Sequence, residues 1–368
     1  MKKMHVAFVV GGLPFGGVES LTLLTAKELI KRGHRPTIIN ISGTGEYEKA
    51  YLEAGIRPLH VGESKKVLKT TSLRTPLKLR RMFRELKADL IHTSHFSADY
   101  HVRLANFGTD TPIITHCRNI KREKKISRRL ANKLLSFRTT RYLAVSNAVG
   151  EIIQRDHNLA GRPISTLYNV ISTSKMDVPS VDLTELGVRQ QGEIIVCCSR
   201  IVKQKNLDVV IRAMPRVLER LPDAQLLILG DGPEREALEL LADSLGVGDS
   251  TIFTGFRLDV PNILQALSNR VSVFAMPSDY EGFSNSLTEA MYCALPSVIS
   301  EFVPNKEITA ESASVVAISF EALAEEFVSI LGNSERYHLM SKSAQEIASE
   351  LTIERYVDQL LEIYGSVV

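Results

Sequence analysis

Tryptophan is absent from the 368 residues, which by itself excludes nothing. Cysteine is scarce, and what its four copies lack says more. Cys117, Cys197, Cys198 and Cys293 show no Cys-x-x-Cys spacing and no neighbouring histidine cluster. They read as buried, reduced thiols in apolar surroundings rather than as metal ligands or disulfide partners. No apolar run approaches the roughly 20 residues that cross a bilayer. Residues 1–10 pass from two lysines into a short apolar stretch and then into Gly11-Gly12, without the small-residue cleavage site of a secretory leader. They read as a first β-strand, and the expected location is cytosolic. No Asp-x-Asp pair occurs anywhere, so carboxylates of that spacing are not on hand to chelate a divalent metal.

What is present is the balance of a folded globular chain: 44% hydrophobic and 24% charged residues. The length suits two domains better than one core. The net charge of +3 hides an asymmetry. Residues 1–175 carry 31 Lys and Arg against 13 Asp and Glu, a net +18, while residues 176–368 carry 14 against 29, a net −15. Halves of opposite sign suggest separate partners for each.

Apolar runs of five to seven residues alternate with amphipathic stretches along the whole chain. In the first half the spacing predicts strands at 5–10, 37–41, 58–61, 90–93, 113–117, 142–145 and 165–168, with helices at 19–32, 76–86 and 127–137. The second half predicts strands at 194–199, 225–229, 251–254, 271–276 and 297–300, with helices near 207–219, 234–245 and 287–293. Such alternation means a parallel sheet in each half, covered on both faces. Residues 171–192 lack periodicity, which puts a boundary between a domain of 1–175 and one of 176–351. Three helical patterns follow at 321–331, 335–349 and 353–364, and the segment 352–368 is expected to pack back on the first domain. Two doubly wound α/β domains would face a cleft from the carboxyl ends of their sheets, where ligands bind.

Four features of the second half fall at predicted strand ends. Arg200 and Lys205 stand five residues apart at a strand-to-helix junction. Arg as a planar fork and Lys as a point charge can clamp a diphosphate, and ordinary surface charge is the competing reading. Gly230-Asp231-Gly232-Pro233 permits a close backbone approach before a helix, or simply a tight turn. Gly255-Phe256-Arg257 follows the next strand, placed to read the edge of a base. The longest feature runs from Pro277 to Met291. There Glu281 and Glu289 bracket a Gly-, Ser- and Asn-rich loop that offers amides at a helix N-terminus. Ser286-x-x-Glu289 also fits a capping box, which would explain Glu289 without a ligand but not Glu281.

Taken together, residues 199–300 resemble the donor half of the retaining glycosyltransferases of the GT4 family, which have the GT-B fold of two Rossmann-like domains. The resemblance rests on Arg200 with Lys205, the Gly230–Pro233 turn, the Gly255 loop, the Glu281/Glu289 pair and Ala294-Leu295-Pro296. Alanine stands at 294 where the family usually has glycine. The resemblance implies that Arg200 and Lys205 hold a donor diphosphate and that Glu289 accepts hydrogen bonds from a ribose. It implies that Glu281, with amides of Phe283, Ser284 and Asn285, orients the donor sugar. Ser286 and Leu287 at the helix start, with Gly230, Phe256 and Arg257, are likewise expected to bind the donor.

In the first half, Gly11-Gly12-Leu13-Pro14-Phe15-Gly16-Gly17-Val18-Glu19 holds four glycines in seven residues without the Gly-x-Gly-x-x-Gly spacing of a dinucleotide site. It resembles the family's N-terminal glycine loop, so Gly16 and Gly17 are expected near the donor phosphate. The family often carries His-x-His after a following strand. This chain reads His92-Thr93-Ser94-His95, so either a bulge brings His95 to the reaction centre or the role is missing. His116 and Arg118-Asn119 follow the next strand and are candidate phosphate or acceptor contacts.

The basic excess is concentrated at 65–87 and 121–141, the latter interleaved with Leu130, Leu134, Leu135 and Phe137. A basic amphipathic surface suits anionic lipid headgroups. No nucleic-acid motif accompanies it. The expected partners are a nucleotide-sugar donor, UDP first and GDP second, a glycan or lipid-linked acceptor and a peripheral membrane contact, with no nucleic acid. No cofactor and no divalent metal is expected, because Arg200 and Lys205 would supply the positive charge. Closure of the two domains would expel water and suppress donor hydrolysis. A sugar-nucleotide epimerase, a sugar phosphorylase and a non-catalytic sugar-nucleotide-binding scaffold are the rival readings.

Overall fold

The computed structural model describes residues 2–119, 126–171, 176 and 178–368. The chain separates into two compact units: Met1–Val170 with Ile353–Val368, and Ile171–Thr352. The boundary expected after residue 175 falls beside residues 172–175, which lie outside the described residues, as do Lys121, Arg122, Glu123, Lys124 and Lys125 of the basic stretch.

The first unit is built on a parallel sheet of seven strands: β1 (His5–Val10), β2 (Arg35–Asn40), β3 (Leu59–His60), β4 (Leu90–Ser94), β5 (Ile113–Cys117), β6 (Arg141–Ala144) and β7 (Ile164–Thr166). Their order across the sheet is β3-β2-β1-β4-β5-β6-β7. The register runs Val6 against Leu90 and Phe8 against His92 on one side of β1, and Phe8 against Ile38 on the other. All six residues of β1 are buried, as a strand covered on both faces requires.

The second unit carries six parallel strands: β8 (Ile194–Cys198), β9 (Gln225–Leu229), β10 (Thr251–Phe253), β11 (Ser272–Met276), β12 (Ser297–Ser300) and β13 (Ala313–Val316), in the order β10-β9-β8-β11-β12-β13. Successive side chains go to opposite faces, so each strand feeds two cores. Val196, Leu227, Leu229, Phe274 and Ile299 pack on one side. Ile195, Leu226, Ile228, Val273 and Val298 pack on the other.

Two elements escape the apolar pattern. The helix Phe96–Ala105 buries Asp99, His101 and Arg103 beside its apolar residues, so it shows no clean stripe. Arg103 is held inside by Asn132 Oδ1 at 2.7 Å and Thr139 Oγ1 at 2.9 Å. Strand β13 is short, and Ala313 is its one fully buried residue.

The helix Ile353–Gly365 belongs to the first unit. Tyr356, Val357, Leu360, Leu361 and Tyr364 form its buried stripe, spaced as one face of a helix demands. Arg32 anchors its start, donating to Glu354 O at 2.9 Å and pairing with Asp358.

Candidate active site

In each sheet the strand order reverses once, between β1 and β4 and between β8 and β11. A ligand is expected beyond the carboxyl ends of the strands at such a point. In the second unit four loops meet there. After β8 the chain passes through exposed Arg200 to buried Ile201, whose amide donates to Asp231 O at 2.9 Å. After β9, Gly230 lies at φ +141°, and a Cβ there would run into the carbonyl oxygen of Ser199. Only glycine fits both the conformation and the space. Its amide donates to Gly255 O at 3.1 Å, which ties the loop after β9 to the loop after β10. Phe256 is 70% exposed, and Arg257 forks onto Asp259 at 2.8 Å through Nε.

The turn Lys203–Lys205 and the loop after β11 are stitched together. Asp279 N donates to Gln204 O at 2.9 Å, Gln204 Nε2 to Tyr280 O at 2.6 Å, and Asn206 Nδ2 to Pro277 O at 2.9 Å and Asp279 Oδ1 at 2.8 Å. This lattice brings Lys205 Nζ onto Glu281 Oε1, an ion pair whose side chains are 17% and 15% exposed.

The helix Asn285–Tyr292 starts at Ser284, whose Oγ accepts from Leu287 N at 3.3 Å. The capping box therefore does not start at Ser286. Ser284 is the residue with extended dihedrals, and Ser286 already lies inside the helix, 3.2 Å from the Ser284 hydroxyl. Glu289 is thus not explained as a cap. It lies close enough to Cys198 and Cys293 that, after burial, its charge helps push both thiols up to about 12. Two amides expected at a ligand are already engaged: Leu287 N by that cap, and Ser284 N by Asn305 Oδ1 at 2.7 Å. Asn305 is fully buried and returns a bond from Nδ2 to Ser284 O at 3.1 Å.

The first unit has its own cavity of about 640 Å³ beyond β1, β2 and β4. Gly11, Gly12 and Pro14 line it, while Gly16 and Gly17 stand exposed at the start of the helix Gly17–Lys31. Ser94 ends β4 and is buried. His95 then takes φ +79°, a left-handed turn unfavourable for a side-chain-bearing residue, and reaches the cavity wall with Nε2 3.8 Å from Glu19 Oε1. Burial raises the Glu19 carboxyl above its usual range, an effect that a hydrogen bond from its own backbone amide and the charge of Arg118 partly oppose.

His92 lies behind this cavity, fully buried. Its Nδ1 is 2.6 Å from Tyr364 Oη, and its Nε2 is 3.2 Å from His116 Nδ1. Arg118 Nη2 also reaches His116 Nδ1 at 3.2 Å, and Arg can only donate. His116 Nδ1 is therefore an acceptor, His92 donates through Nε2, and Tyr364 donates to His92. Burial, reinforced by Arg118, lowers His92 to about 3 and holds His116 well below the usual histidine range.

The model of the family "Glycosyl transferases group 1" matches residues 182–347, and that of "Glycosyltransferase Family 4" matches residues 15–175. Together the two matches span most of the chain, each covering one of its halves. The lipopolysaccharide core biosynthesis glycosyltransferase LpsE of Rhizobium meliloti is 26% identical over 358 residues, 95% of this chain and 96% of that relative. Uncharacterized glycosyltransferase MJ1607 of Methanocaldococcus jannaschii is 30% identical over 173 residues, 45% of this chain, and the match spans only 44% of that relative's length. The solved structure of Anabaena Alr3699/HepE in complex with UDP covers 99% of this chain and 100% of its own, with a TM-score of 0.84 at 19% identity, a likeness of fold.

The second unit brings Lys205, Glu281, Gly230 and the start of the helix bearing Glu289 to one edge of a sheet. Arg200 stands exposed on the same edge. In the first unit His95 reaches the cavity and His92 does not. Sequence reasoning passed over Asn305, Gln204 and Asn206, which carry no motif of their own and act by holding the loop after β11. It also passed over Glu19, which was quoted in the glycine loop but given no role.

Proposed function

We propose that this glycosyltransferase moves a hexose or N-acetylhexosamine from a nucleotide-diphosphate sugar, UDP before GDP, to a glycan or lipid-linked acceptor. The transfer proceeds with retention at the anomeric carbon and without a divalent metal, in the making of a cell-surface polysaccharide or lipopolysaccharide. The observation that carries this reading is the Lys205–Glu281 ion pair, set at the switch point of the second sheet with Arg200 on the same edge. A diphosphate arriving there draws Lys205 away from Glu281 and meets the Arg200 fork. Glu281, released, accepts hydrogen bonds from the donor sugar, and Glu289 accepts them from the ribose. As the anomeric C–O bond breaks, Arg200 and Lys205 take up the charge that builds on the departing diphosphate, and the acceptor oxygen enters from the same face. The UDP in the HepE complex and the lipopolysaccharide role in the name of LpsE agree with this choice of donor and acceptor.

The acceptor side includes a membrane contact. Leu73 and Leu77 are 78% and 68% exposed on and beside the helix Arg74–Leu86, among Lys78, Arg80, Arg81 and Arg84. Ile126, Leu130 and Leu134 are exposed on the helix Ile126–Leu134, among Arg128, Arg129 and Lys133. Among the described residues no helix is long and apolar enough to cross a membrane.

The reading is tested by incubating the pure protein with UDP- and GDP-sugars, with and without EDTA, and following slow donor hydrolysis. Hydrolysis of one donor that survives EDTA is the expected result. Absence of any nucleotide binding by calorimetry ends the proposal.

A further inference from the structure

Two carboxylates are buried on the helix Gly17–Lys31, and the fold treats them differently. Glu28 is paired with Arg32 Nε at 2.8 Å and Lys31 Nζ at 3.4 Å. Glu19 is only 2% exposed, yet its Oε1 has no hydrogen-bond partner. His95 Nε2 stands at 3.8 Å, within ion-pair range but beyond hydrogen-bonding distance. The main chain of Glu19 is secured separately, because Tyr51 Oη donates to Glu19 O at 2.8 Å. The carboxylate accepts one hydrogen bond from the backbone amide of Glu19 itself, which leaves Oε1 as its unmet atom. A buried acceptor without a donor destabilises a fold and persists where something outside the chain completes it.

Glu19 lines the 640 Å³ cavity with Gly11, Ser42, Thr44, His95 and Ser97. The other charged groups in its wall are Glu46 and Lys65, both exposed and of opposite sign, so the buried carboxylate sets the character of the interior. An acceptor-only oxygen asks for a hydroxyl or amide donor and repels an anion. We infer that Glu19 determines specificity in this cavity, which takes an uncharged, hydroxyl-bearing part of the acceptor and seats it by a hydrogen bond from one hydroxyl to the Glu19 carboxylate, whose shielded Oε1 turns toward that hydroxyl on binding. This rests on the transferase reading above and narrows it: the group held here is a neutral sugar or polyol, not a phosphate or carboxylate. The glycine before the helix serves the same end, since a Cβ on Gly16 would stand 2.6 Å from Glu19 Oε2.

The test uses saturation-transfer NMR with the methyl glycosides of glucose, galactose, mannose and N-acetylglucosamine, set against the corresponding hexose 6-phosphates. At least one methyl glycoside is expected to bind the native protein, and none of the phosphates more tightly than its neutral parent. E19Q is expected to weaken that glycoside at least tenfold, as loss of a hydrogen bond to a charged group does, without lowering Tm. G16A, which displaces the carboxylate without removing its charge, is expected to weaken it too. Unchanged glycoside binding by E19Q, a lower Tm with unchanged binding, tighter phosphate binding, or no glycoside binding at all overturns the inference. UDP calorimetry on the same samples reports on the transferase reading by itself, so the two can fail separately.

Discussion

Lys205 and Glu281 neutralise each other across the loop lattice, so each is held ready and largely shielded from water. Removing one therefore alters the other. In E281A, sugar transfer is expected to collapse while UDP binds at least as well, because Lys205 no longer has a competing partner; steady-state rates and calorimetry separate the two effects. In K205A, kcat is expected to fall about 100- to 1,000-fold, the usual cost of one preorganised charge-stabilising group. The buried histidines make a prediction of a different kind. His92, lowered to about 3, and His116, also lowered, stay neutral in the fold while an unfolded chain protonates near about 6.5. The unfolded state binds more protons across that interval, so stability is lost as pH falls from about 6.5 toward 3. Melting temperatures between pH 7.5 and 4.5 should decline, and the decline should be shallower in the H92Q/H116Q double variant.

At the scale of elements, the loop after β11 depends on a side chain distant in sequence. Asn305 bonds both the amide and the carbonyl of Ser284 from a fully buried position. N305A leaves the Ser284 amide unmet, while Ser284 O still accepts from Thr288, and is expected to cost about 1–3 kcal/mol. Donor KM should rise as the cap at Ser284 loosens, which denaturant melts and kinetics measure together. Such a contact could not be read from the sequence, because Asn305 sits in Phe-Val-Pro-Asn-Lys with no pattern around it. The strands could be read, since β1, β9 and β11 are largely apolar runs covered on both faces and bounded by turn residues. The helix Phe96–Ala105 could not, because its buried face contains Asp99, His101 and Arg103 and imitates a solvated one. Arg200, Lys205 and Glu281 stood out through their spacing at strand ends. Glu19 did not, because what distinguishes it is an absent partner, and absence has no signature in a sequence.

Over the whole molecule, charge is divided by half of the chain, with +18 in residues 1–175 and −15 in the rest. The positive share includes the helices Arg74–Leu86 and Ile126–Leu134, where leucine and isoleucine side chains face solvent among arginines. Vesicles rich in phosphatidylglycerol are expected to co-sediment the protein at low salt and to release much of it at high salt, whereas phosphatidylcholine vesicles leave it in the supernatant. Replacing Leu73, Leu77, Leu130 and Leu134 by serine should reduce the salt-resistant fraction while UDP affinity stays the same.

The helix Ile353–Gly365 seals the first unit by laying Tyr356 and Tyr364 over the histidine–arginine cluster. Residues 353–368 emerge from the ribosome only after every residue of the second unit has been translated. The unit begun first is thus the one finished last. Its upper core must wait open through the synthesis of a whole neighbour, and for that interval it depends on chaperones or on speed.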